Sequence, residues 1–158
     1  MTNQIPKAAP ATLSKMLFKL TTGGGLVFWA TTIATSLLPL AAEYRSAYSG
    51  WSIQTVWVAS LPMGMIIGFC VSYILLRYYD KIPAKSPILK SVLLSFIALI
   101  IAIILIDLPQ SFFRMSTPSA ALYYFLIGVM INAARFLFLG TVIGCLFNEL
   151  TRSLFKGD

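Results

Sequence analysis

Four long apolar stretches, separated by short polar ones, dominate the pattern of this chain. They cover residues 23–42, 53–76, 88–106 and 122–149. Each has about the 20 residues, or more, that an α-helix needs to cross the hydrocarbon core of a bilayer. None shows the strict alternation that is typical of membrane β-strands. The pattern predicts an all-α integral membrane protein, a bundle of four transmembrane helices that forms one domain over residues 1–158.

The positions of the positive charges predict how these helices are oriented. Nine of the twelve Lys and Arg residues precede the first span, lie between the second and third, or follow the fourth. Arg45 and Arg114 lie on the other side, and Arg135 lies within the fourth span. Because cytoplasmic loops carry the excess of Lys and Arg, both termini are predicted to be cytoplasmic. The short loops and the lack of a transit-peptide pattern favour the cytoplasmic membrane as the location.

The stretch ahead of the first span has an amphipathic pattern. One helical face carries Leu13, Met16, Leu17 and Leu20, and the opposite face carries Thr12, Lys15 and Lys19. We expect residues 1–22 to be a tail and a short amphipathic segment that lies along the membrane surface. The flexible corner where the chain then turns into the bilayer would be formed by Gly23, Gly24 and Gly25. One continuous helix through these glycines is the alternative.

Small residues recur along one face of the second and fourth spans. The second span has Ser60, Gly64, Gly68 and Ser72, and the fourth has Gly128, Gly140 and Gly144. Small residues at this spacing let another helix approach closely. The surfaces could contact a second copy or a partner protein, or they could pack within the chain's own bundle. Pro62, early in the second span, removes a backbone hydrogen bond and is a candidate hinge.

Arg135 is an ionisable residue inside the fourth span, and such residues are candidates for a functional site. Asn132 shares its helical face, and the acids at matching depth are Asp107 and Glu43, at the outer ends of the third and first spans. One interpretation is structural, with Arg135 extending toward the headgroups or clamped to Asp107. The other is a polar site that binds an anion, a lipid headgroup or a permeating solute.

Composition and charge exclude several classes of function. The chain is 58% hydrophobic, and its net charge of +7 is spread between apolar stretches and does not mark a soluble nucleic-acid-binding face. It has no histidine, which excludes a His-based zinc site, a His-ligated haem and a His general base. Cys70 and Cys145 are expected to be small buried residues. We therefore predict no metal, no cofactor and no catalytic residues.

The sequence thus favours a non-enzymatic function. The first hypothesis is a small membrane subunit or self-associating bundle that uses its glycine rows to contact itself or another membrane protein within the lipid bilayer. The alternative is a channel or facilitator for a small solute or anion that uses Arg135 and Asn132. A membrane enzyme would have to rely on Arg, Asn, Tyr or Cys alone. All five acids lie at helix ends, in loops or in the tail, so the midplane carboxylate that proton-coupled transporters usually need is missing.

Overall fold

The computed structural model describes residues 10–48, 52–109, 113 and 117–155, which are nearly all helical and include no strand. The helices are α1 (Pro10–Ser36), α2 (Pro39–Tyr48), α3 (Ile53–Tyr78), α4 (Pro87–Ala102) and α5 (Pro118–Phe155). A short 3₁₀ turn, Tyr79–Lys81, follows α3, and a π-helical turn, Ile103–Asp107, follows α4. Among the described residues, three helices have the length and apolarity of a membrane span, or four if α1 and α2 form one bent span. The prediction of an all-helical chain is confirmed.

Helix α1 is longer than the predicted first span, and the expected corner at Gly23–Gly25 is wrong. The helix runs without interruption from Pro10 to Ser36, so the continuous-helix alternative describes it. The bend comes later, where α1 and α2 meet at 93°. Pro39 explains this position, because proline disfavours the helical conformation in the residue before it but suits the first turn of the next helix.

The amphipathic segment forms the first turns of α1 and not a separate surface helix. Its apolar residues Met16 and Leu20 are buried in the same cluster as Leu75 and Phe147, whereas its lysines are exposed. Most of the apolar face that we expected to lie on the membrane surface therefore packs against α3 and α5, whereas Leu13 is exposed.

The small residues of α3 and α5 lie between helices of the same chain. A Cβ atom at Gly64 would lie 2.9 Å from the backbone oxygen of Gly25, and one at Gly68 would lie 3.0 Å from that of Thr21. A Cβ atom at Gly140 would lie 2.9 Å from the Cα atom of Val92. Such close backbone approach requires residues without a Cβ atom. The glycine row of α3 is therefore covered by α1, and that of α5 is covered by α4 where it includes Gly140 and Gly144.

Helices α1 and α3 form one close pair, α4 and α5 form another, and α1 joins the pairs through α5. Contacts between α3 and α4 are sparse. Large apolar side chains without exposure fill the interior: Leu20, Leu75, Leu139 and Ile143. Pro62 lies inside α3, which remains one helix.

The two cysteines do not contribute to the core, so the expectation that they are buried is wrong. Cys70 and Cys145 are both exposed, free thiols. Cys70 lies two residues from each of the buried Gly68 and Ser72, which places it about 200° away from them around the helix. It therefore lies on the opposite face of α3.

Candidate functional site

Four polar side chains from three helices form a hydrogen-bonded group, the polar cluster, made of Thr35, Asp107, Asn132 and Arg135. The amide nitrogen of Asn132 donates to Asp107 Oδ2 at 2.9 Å. Arg135 Nη1 donates to the amide oxygen of Asn132 at 3.2 Å. Arg135 Nε and Nη2 donate to Thr35 Oγ1 at 3.3 Å and 3.2 Å. The cluster thus joins the end of α1, the π-helical turn after α4 and the middle of α5.

Asn132 connects a group that only accepts hydrogen bonds to one that only donates them. An ionised carboxylate has no donor and a guanidinium has no acceptor, whereas a primary amide has both. The i, i+3 spacing of Asn132 and Arg135 puts both side chains on one face of α5. The amide can therefore receive a hydrogen bond from Arg135 and pass one to Asp107 within a partly buried site.

Thr35 uses its full hydrogen-bonding capacity in this cluster. Its hydroxyl accepts from two guanidinium nitrogens and donates to the backbone oxygen of Thr32 at 3.2 Å. Close by, Ser36 donates to the backbone oxygen of Ile33 and accepts from Trp57 Nε1 at 2.8 Å. These contacts fix the end of α1 against α3, and they hold Thr35 in place for Arg135.

The π-helical turn determines where Asp107 points. In a π-helical turn the backbone hydrogen bond joins residues about five apart, whereas in an α-helix it joins residues about four apart. Such turns occur frequently at functional sites. Asp107 is 8% exposed, whereas Ile104, Leu105 and Ile106 in the same turn are exposed. The turn therefore directs the carboxylate to α5 while its apolar neighbours face outward.

A cleft with a volume of about 210 Å³ opens beside the polar cluster. It is lined by Ser36, Ala41, Tyr44, Arg45, Val56, Asp107, Gly128, Ile131, Asn132 and Arg135. Three of these residues, Ala41, Tyr44 and Arg45, come from α2, which the bend at Pro39 brings beside α5. The Tyr44 ring lies against Gly128, where a Cβ atom would be 2.9 Å from the hydroxyl oxygen. With two arginines and one aspartate, the ionisable side chains of the cleft carry one net positive charge.

Apolar side chains line the interior next to the polar cluster. The rings of Phe28 and Phe136 meet edge to face with their centroids 5.6 Å apart. Farther along α5, Leu139 and Ile143 have no exposed surface. In this region of the described chain, the polar cluster is thus followed by apolar surroundings, which are fully buried at Leu139 and Ile143.

Three of the four residues predicted for an intramembrane polar site lie together. Arg135, Asn132 and Asp107 share the cluster: Asn132 hydrogen-bonds to both charged residues, and the two charges also attract each other. Glu43 does not line the cleft. It lies exposed on α2 and accepts a hydrogen bond from the Tyr124 hydroxyl at 3.4 Å.

Sequence reasoning missed the contributions of Thr35, Tyr44 and Arg45. The hydroxyl residues Thr32, Thr35 and Ser36 recur at helical spacing, which was the available signal for a polar face at the end of α1. Tyr44 reads as an interfacial anchor in the sequence, because such anchors are frequent near span ends. Its position against Gly128 depends on the bend between α1 and α2.

Among the described residues, no three His, Cys, Asp or Glu side chains are arranged to hold a metal ion. Comparisons with protein-family models, with curated proteins and with solved structures found no match to this chain.

Proposed function

We propose that this chain is a non-enzymatic integral membrane protein that binds an anionic group in the cleft beside Arg135. The bent pair of α1 and α2 forms the first span, and α3, α4 and α5 form the other three. The Tyr79 ring stacks on Phe147, and the Lys90 ammonium donates to the backbone oxygen of Tyr79. Leu17 of α1 and Arg77 of α3 line one cavity, which supports placing the basic ends of the four spans at the same end of the bundle. With the positive charges concentrated at that end, both termini are assigned to the cytoplasm.

The proposal is based on the hydrogen bonds that the Arg135 guanidinium makes. Within the described residues, its hydrogen bonds go to Thr35 and Asn132, which are neutral, and they use three of the five N–H donors of a guanidinium. Guanidinium groups bind phosphate and carboxylate through paired hydrogen bonds. Arg45 adds a second positive charge to the cleft. The arrangement suits an anion that brings one or two oxygens to Arg135.

The packing around the cluster favours binding over passage of a solute across the membrane. An anion that moved from the cleft into the bundle would meet the Phe28 and Phe136 rings and then Leu139. Moving an unpaired charge into such surroundings costs several kcal/mol or more. The alternative of a channel would therefore require this core to open.

The assembly hypothesis loses its main support. It relied on the glycine rows as free surfaces, but Gly64 and Gly68 contact α1, and Gly140 and Gly144 contact α4. A second copy that used these rows would have to displace a helix of the same chain.

The test uses the full chain in nanodiscs of zwitterionic lipid. Methyl phosphate is the anionic probe, and tetramethylammonium is the control ion of opposite charge. Methyl phosphate should stabilise the wild type against thermal unfolding, by about 2.7 kcal/mol at a hundred times its Kd. Arg135→Gln should abolish the shift. Arg152→Gln, which removes an exposed arginine from the same helix, should preserve it. No shift in the wild type, or equal shifts in both variants, would contradict the proposal.

A further inference from the structure

A long apolar groove lies between α3 and α4, which have few contacts with each other. Its volume is about 370 Å³, and its lining is almost entirely apolar. On α3 it extends from Met63 to Ile74, which is about 16 Å at 1.5 Å per residue. The hydrocarbon core of a bilayer is about 30 Å thick. The groove therefore has the length of one leaflet.

A third cavity, of about 310 Å³, has wall residues in common with both the groove and the polar cleft. With the cleft, this cavity shares Asp107, Asn132 and Arg135. With the groove, it shares Met63 and Phe136, among others. The positively charged cleft and the apolar groove therefore lie on either side of this cavity and share wall residues with it. This is the distribution of polarity in an amphiphile with one chain.

We propose that the anion bound beside Arg135 is the phosphate of an anionic membrane phospholipid, one of whose acyl chains lies in the groove between α3 and α4. This inference rests on the function proposed above, and it names the class of ligand. The phosphate oxygens accept from Arg135 and Arg45, and the chain runs past Phe136 toward Ile74. A soluble anion would leave the groove unexplained, and a neutral lipid would bring no negative charge to Arg135.

The two parts of the site contribute differently to selectivity. Lipid tails are as apolar as the groove, so moving a chain from the bilayer into the groove brings no hydrophobic gain. The groove contributes shape, and the charge of the cleft selects the headgroup. A basic residue near a membrane surface favours an anionic lipid by about 1 kcal/mol, which corresponds to about a fivefold preference.

The experiment places phospholipids with a photoactivatable diazirine near the end of one acyl chain in nanodiscs that hold the full protein. Phosphatidylglycerol is the anionic probe and phosphatidylcholine the zwitterionic control, and the crosslinked peptides are mapped by mass spectrometry. The two exposed cysteines offer a matched pair of variants, because Cys70 lines the groove and Cys145 does not. Cys70→Phe fills the groove from an exposed position, and Cys145→Phe adds the same bulk elsewhere. Ala98→Leu fills the groove from α4.

We expect phosphatidylglycerol to crosslink to residues of the groove about fivefold more than phosphatidylcholine does. Cys70→Phe and Ala98→Leu should reduce this crosslinking several-fold, Cys145→Phe should not, and all three should retain the thermal shift with methyl phosphate. Crosslinks that are spread evenly over the exposed faces, or equal for both lipids, would overturn the inference. If methyl phosphate still binds in that case, the proposed function stands without the lipid. If the methyl phosphate shift is also absent, both fail.

Discussion

Replacing Gly68 with alanine tests whether the glycine row of α3 serves packing within the chain. The added Cβ atom would lie 3.0 Å from the backbone oxygen of Thr21 and 3.2 Å from the backbone nitrogen of Gly25. Backbone atoms inside a helix cannot rotate away, so α1 and α3 must separate. Gly23→Ala is the matched control, because its Cβ atom would meet the end of the flexible Leu146 side chain.

The expected magnitudes follow from two opposing effects. Overpacking of a tight contact costs about 1–3 kcal/mol, and replacing glycine by alanine inside a helix returns about 0.5–1 kcal/mol. Gly68→Ala should therefore lower the free energy of unfolding by about 0.5–2 kcal/mol. Gly23→Ala should leave it unchanged or raise it by up to about 1 kcal/mol, because Leu146 can change its rotamer.

Reversible unfolding in mixed micelles with increasing dodecyl sulfate measures both free energies, and native mass measures assembly. We expect a difference in stability between the two variants with no difference in native mass. Equal stability of Gly68→Ala and wild type would refute this expectation. A change in native mass without a loss of stability would instead assign the glycine row to contacts between copies.

Two further predictions concern polar contacts. Asp107→Asn and Arg135→Gln should lower the free energy of unfolding non-additively, because Asn132 hydrogen-bonds to both residues. The expected coupling energy in a double-mutant cycle is about 0.5–3 kcal/mol, and additive losses would exclude this connection. Lys90→Met should destabilise the protein by about 1–3 kcal/mol, because the buried Lys90 ammonium donates to the backbone oxygen of Tyr79 and lies 3.8 Å from the centroid of its ring. Lys85→Met, at an exposed position, is the control in the same unfolding assay, and equal losses would contradict the prediction.

The length and apolarity of the four stretches were sufficient to predict the helices, because a long apolar segment has few other structures available to it. The grouping of Arg135 with Asn132 was also readable, since both lie on one face of one helix. The partnership with Asp107 followed from matching depth.

Other features of the fold depend on which helix packs against a given segment, and the local sequence of that segment does not contain this information. Glycine allows both a turn and a close helix contact, so Gly23–Gly25 are compatible with a corner until α3 is known to pack against them. Thr35 forms an ordinary hydrogen bond within its helix and becomes part of a site only because Arg135 reaches it. The π-helical turn at Asp107 has no clear signature in a stretch of isoleucine and leucine.

The central claim is that Arg135 binds an anion, and the most direct measurement is nuclear magnetic resonance of the arginine Nε–H groups. The protein, labelled with ¹⁵N-arginine and held in zwitterionic nanodiscs, is titrated with methyl phosphate. We expect a saturable change in the Arg135 resonance and none in that of Arg152, at the far end of the same helix. An unchanged Arg135 resonance, or equal non-saturating changes at both arginines, would contradict this claim.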